Sequence, residues 1–107
     1  MAEITTPEPN VVSLSGEIDL HESRHLKHTF DAMIKKKSPR VLVDFTGVSY
    51  VDSSALAIFV DITQRVRAYG GKVAFYGLRD NVRSIFELAR LDQIFHIFPD
   101  KGSAFQA

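Results

Sequence analysis

At 107 residues with no cysteine, the chain has room for one small domain, residues 1–107, and cannot carry a disulfide framework, a thiolate metal site or a cysteine nucleophile. Thirteen lysines and arginines balance thirteen aspartates and glutamates, so no overall field gathers nucleic acid or anionic lipid. An apolar share of 45% against 24% charged residues belongs to a folded chain; with no membrane-length apolar run and no signal peptide at its start, it is expected to be cytoplasmic, without membrane insertion.

Residues 1–10 carry Pro7 and Pro9, with Ile4 as their large apolar residue. They read as a poorly structured loop or, near residues 3–5, as an edge strand. Residues 11–15 (VVSLS) are a short strand closed by Gly16. Asp19 then offers an N-cap, with Glu22 three positions on to reach back as a capping box. Leu26, Phe30, Met33 and Ile34 fall on one face of the helix that follows. Lys35-Lys36-Lys37 places cations at its negative end, and Pro39 forbids continuation.

Residues 41–45 (VLVDF) are the most continuous apolar run, the mark of a strand buried on both faces in a parallel sheet. A short turn leads to Asp52, after which Ala55, Ile58, Phe59, Ile62, Val66 and Tyr69 trace a second helical face that Gly70-Gly71 stops. Residues 72–76 form the next strand. Asp80 or Asn81 caps a third helix with Val82, Ile85, Phe86 and Ala89 inside, residues 95–98 form a last strand, and residues 101–107 make a short or frayed final helix. Strands alternating with amphipathic helices predict an α/β fold, with a mixed, mostly parallel sheet of four to five strands covered by those helices. In such sheets function gathers where a strand's carboxyl end passes into a helix.

Asp52-Ser53-Ser54 occupies that place. One capping residue accounts for a helix start, contributing about 1 kcal/mol; three polar residues in a row exceed that need. The next positions hold Ala55, Leu56 and Ala57 where a capping box would place Glu or Gln, so small neighbours leave the hydroxyls uncovered. A phosphoryl group on Ser53 or Ser54 would bring about −1.5 to −2 charge to a helix N-terminus, which tolerates anions. Side-chain direction in a first turn does not choose between the two serines, and plain capping remains the alternative.

Other groupings are weaker. His21, His25 and His28 have the spacing of one helical face turned from the core, read as solvated, with surface metal pickup or a pH response as the sharper option. Arg83, Glu87 and Arg90 read as a solvated charged face, and Tyr50 and Val51 either present apolar surface or turn inward. Gly70-Gly71 lacks the spacing of a phosphate-cradling loop, and no G-x-S-x-G elbow surrounds a serine. No enzyme, cofactor or resident metal is expected.

Ser15-Gly16-Glu17-Ile18-Asp19 resembles an early STAS-domain signature. Val43-Asp44-Phe45-Thr46-Gly47-Val48, followed by Val51-Asp52-Ser53-Ser54-Ala55-Leu56, resembles the central one. Gly70-Gly71-Lys72-Val73 and Val82-Arg83-Ser84-Ile85-Phe86 fall at familiar intervals. Over nearly its whole length the chain is similar to the module shared by sulphate-transporter tails and bacterial anti-sigma factor antagonists. The resemblance implies the STAS fold and a bacterial partner-switching protein of transcription regulation. Its partners would be an anti-sigma factor serine kinase, which phosphorylates the second serine, Ser54, and a phosphatase that restores it. Asp19, Asp52, Ser53, Ser54, Ala55, Leu56 and Ala57 would form the docking surface. The alternative is a constitutive STAS subunit of a lipid-transport ATPase complex or a stressosome-like scaffold. Ala55 departs from the family's usual glycine, adding a methyl beside the acceptor, and the two prolines weaken the N-terminal strand.

Overall fold

The computed structural model describes residues 2–106. Its elements run β1 (Glu3–Glu8), β2 (Val11–Ile18), α1 (Ser23–Lys35), β3 (Arg40–Val51), α2 (Ser53–Ala68), β4 (Lys72–Tyr76), α3 (Asp80–Leu88), a 3₁₀ turn (Leu91–Gln93), β5 (His96–Phe98) and α4 (Lys101–Gln106). The five strands lie in chain order, β1 antiparallel to β2 and each later pair parallel. The α/β class and the mostly parallel sheet are as the alternation of strands and helices predicts.

The strand order decides where the helices lie. Right-handed crossovers that always step to the next strand in the same direction place every connecting helix on one face. Accordingly α1, α2 and α3 share one core, contributing Leu26, Phe30, Met33, Ala55, Phe59, Ile62, Val66, Val82 and Phe86 to it. At its centre Phe45 stands 5.3 Å from Phe59, 5.4 Å from Phe75 and 5.7 Å from Phe86 between ring centroids. The opposite face, with Val11, Leu42, Ala74 and Tyr76, is shielded by Ala104 of α4 and by Phe98. Residues 41–43 are therefore buried on both sides, as their continuous apolar run predicts.

Several local expectations are corrected. The N-terminal segment takes the edge-strand option and extends it, from Glu3 to Glu8, with an irregular register between Thr5 and Glu8. Gly16 does not close β2; at φ +78° it makes an irregularity through which the strand continues to Ile18. The turn expected before Asp52 is instead strand, because β3 runs on to Val51. Its pairing with β2 advances from Ser13↔Asp44 to Ser15↔Gly47 and from Gly16↔Val48 to Glu17↔Tyr50, so β3 carries an extra residue at each step. These bulges set the buried positions at Phe45, Val48 and Val51, a spacing of three that hides the strand from a two-residue pattern. At Gly47 a Cβ would lie 2.8 Å from the Ser15 Cβ, so the close approach of the strands requires glycine.

The helix starts differ too. Asp19 is not the N-cap of α1: Glu22 holds that place without a side-chain bond, and the Asp19 carboxylate accepts instead from the His21 N–H at 2.9 Å. Neither Asp80 nor Asn81 caps α3. Arg79 precedes it, and the Asn81 side chain donates to the Ser49 carbonyl at 2.7 Å. Ala89 lies exposed beyond the end of α3.

Candidate functional site

The last residues of β3 pass β4, whose pairing with β3 ends at Asp44↔Tyr76. Beyond that point β3 is held by β2 on one side, while Arg79 and Asn81 donate to its Thr46 and Ser49 carbonyls. The strand end is thus fixed from both flanks, and Val51, 1% exposed, anchors it in the core. Asp52 follows in extended conformation (φ −101°, ψ 179°) and starts α2. Its Oδ1 accepts from the Ala55 N–H at 3.0 Å and from the Ser54 hydroxyl at 2.6 Å. Its Oδ2 accepts from the Leu20 N–H at 3.1 Å, and its own N–H donates to the Ile18 carbonyl at 3.1 Å. One carboxylate therefore caps a helix, orients a serine and ties the loop after β2 to the end of β3.

Burial pushes the Asp52 carboxyl upward, but donation by the Ser54 hydroxyl and by the Ala55, Leu20 and Ser54 N–H groups outweighs it, leaving the group below its ordinary value. It stays ionised at neutral pH. The Ser54 Oγ is consequently a half-buried hydroxyl whose proton points at a fixed anion.

The sequence-predicted residues separate by exposure. Ser53 and Ala57 are exposed on α2, and Ser54 and Asp52 are half-buried. Ala55 is 0% exposed, with its methyl packed in the core and its N–H bonded to Asp52, so it presents no accessible surface of its own. Leu56 is half-buried against the same core. Asp19 sits in the loop tied to Asp52, near the group but outside its direct hydrogen bonds.

Two large apolar side chains are exposed at the same end of the sheet. Tyr50, opposite Glu17 in the register, is 47% exposed, and Leu20, in the loop after Ile18, is 69% exposed. Val51 turns inward, which resolves the alternatives for that pair. Leu20 was not singled out by the sequence. Its signal was a leucine outside the 26/30/33/34 stripe, directly after the early signature. His21 lies in the turn before α1, so the three histidines do not form the helical row their spacing suggests. Among the described residues no group of three or more His, Asp or Glu side chains is placed to hold a metal ion. No helix of the described residues is long and apolar enough to cross a membrane.

Known proteins similar to this chain share its fold. An "anti-sigma-B factor antagonist" of Listeria monocytogenes is 29% identical over 86 residues, covering 80% of this chain and 75% of that protein. An anti-sigma factor antagonist from Mycobacterium paratuberculosis superposes with a TM-score of 0.84 at 22% identity, over 99% of this chain and 91% of that one. The Bacillus cell fate determinant SpoIIAA, in its phosphorylated form, gives 0.71 at 15% identity, over 99% and 98%. The STAS domain family model matches residues 2–104, and with the five-stranded sheet and the Asp52-Ser53-Ser54 helix start in view, the chain belongs to the STAS domain family.

Proposed function

We propose that this protein is an anti-sigma factor antagonist that works as a phosphorylation-controlled switch. Unmodified, it docks the surface around the start of α2 on an anti-sigma factor that is also a serine kinase; phosphorylated on Ser54, it lets go, and a phosphatase restores it. The role is one of binding, not catalysis. The observation that carries this reading is the Ser54 hydroxyl itself, half-buried in the first turn of α2, 2.6 Å from Asp52 and at the same sheet end as exposed Leu20 and Tyr50.

Esterified, Ser54 Oγ has no proton to donate, and the phosphate faces the Asp52 carboxylate as a like charge. The helix N-terminus offsets part of that repulsion, so the fold survives while the surface changes sign. Moving a complex from mostly bound to mostly free takes about 5.5 kcal/mol. An unpaired charge buried at an interface supplies about 2–5 kcal/mol, and repulsion adds to it.

The test is incubation with ATP and the candidate kinase encoded beside the gene, read by mass spectrometry. A single added phosphate that disappears in Ser54→Ala, with a loss of affinity of about a hundredfold in Ser54→Asp, is the expected result. Phosphate retained by Ser54→Ala, or full affinity in Ser54→Asp, overturns the switch. The Ser54–Asp52 bond also suits a constitutive subunit of a larger assembly, such as a lipid-transport ATPase complex or a stressosome-like scaffold, in which the serine only holds the helix start. Stable copurification with such an assembly, indifferent to Ser54→Asp, is the outcome that selects that reading.

A further inference from the structure

The face of the sheet away from α1, α2 and α3 holds a cleft of about 140 Å³, lined by Arg40, Leu42, Lys72, Ala74, His96 and Ala104. The pleat explains its chemistry. Arg40 and Leu42 alternate with core-facing Val41 and Val43, and Lys72 and Ala74 with core-facing Val73 and Phe75. Arg40 pairs with Lys72 and Ala74 with His96, so three basic side chains begin three neighbouring strands on one face, beside an apolar floor. The void exists because that floor and its cover are small: Ala74 below and Ala104 of α4 alongside.

Among the described residues, none of the ion pairs includes Arg40, Lys72 or His96. Arg40 Nη1 donates to the Phe105 carbonyl, which holds α4 at the cleft wall and leaves the rest of the guanidinium fork. The cleft opens at the start of β3, at the opposite end of that strand from Asp52 and Ser54.

We propose that this cleft binds a small organic carboxylate with a compact apolar body. An apolar cavity of about 150 Å³ admits a benzene ring, so the space suits a ring or a short branched chain. The planar carboxylate would meet Arg40 and Lys72 at the rim, and the body would cover Leu42 and Ala74. This site is independent of the switch at Ser54, and neither stands or falls with the other.

The test is a titration of the full chain with sodium benzoate, followed by amide chemical shifts, with benzamide as the neutral probe of the same shape. Benzoate should move the amides of residues 40–42, 72–74 and 96 saturably, with a dissociation constant of order millimolar, and benzamide should bind several-fold more weakly. Lys72→Gln, at an exposed position, should weaken benzoate by about threefold, the scale of one screened charge. Ala74→Leu should fill the space and abolish binding while circular dichroism shows the fold retained. Shifts that do not saturate, equal binding of benzamide, or undiminished binding by folded Ala74→Leu overturn the proposal.

Discussion

Removing the Asp52 carboxylate tests how the site is held together. In Asp52→Ala, α2 loses its cap, a cost of about 1 kcal/mol at such positions. The Leu20 N–H loses a charged acceptor, worth about 1.5 kcal/mol at the lower end for such bonds. The Ser54 hydroxyl, half-exposed, recovers a water partner and adds little. The sum is about 2–3 kcal/mol, a fall of roughly 10 °C in Tm for a chain of this length. Asp52→Asn is the sharper variant. Its carbonyl still accepts from Ala55 and Ser54, but its amide sets a donor against the Leu20 N–H, so the loss should be about 1–1.5 kcal/mol.

Acid supplies the second arm. The folded Asp52 carboxyl lies below its ordinary 3.8, so its stabilisation is complete above that value and disappears as pH falls through the lower, folded one. The gap between wild type and Asp52→Asn should stay level from about pH 5 to 8 and narrow below about pH 4. Urea unfolding followed by circular dichroism measures both quantities. A loss below about 0.5 kcal/mol in Asp52→Ala, or a gap to Asp52→Asn that widens on acidification, would refute the reasoning.

Three further outcomes are expected. Leu20→Ser and Tyr50→Ser, both at exposed positions, should change stability by less than about 0.5 kcal/mol yet weaken binding to the proposed anti-sigma factor partner about tenfold each; calorimetric titration showing unchanged affinity would remove them from the proposed docking surface. Phe59→Ala empties the aromatic cluster beside Phe45 and Phe75 and should cost about 3–5 kcal/mol in urea unfolding, with a loss under about 1 kcal/mol contradicting the packing described. Gly77→Ala puts a methyl on a residue at φ +76°, 2.5 Å from a Thr46 hydroxyl already bonded to Asp44, and should destabilise by about 2 kcal/mol or more; a thermal midpoint equal to wild type would show that the turn relaxes freely.

What the sequence determined by itself was whatever is written in short-range periodicity. The stripe 26/30/33 on α1 and 55/59/62/66 on α2 is repeated in the buried residues because a helix turns at a fixed 3.6 residues whatever surrounds it. A cap within Asp52-Ser53-Ser54 was equally local; the structure gives it to Asp52, whose carboxylate accepts from the N–H three residues on. Tertiary structure decided what depends on distant chain. The bulges against β2 carried β3 past its expected end, and they changed its buried spacing from two to three. The 32-residue reach from Leu20 to Asp52 spent the loop's backbone on the site, leaving Asp19 to a local turn. Strand order put the three long helices on one face, burying the Ala55 methyl beneath the serines and leaving the other face to a six-residue helix with a basic cleft at its side. A periodic pattern says which side of an element is apolar; only the packing of the sheet says what that side meets.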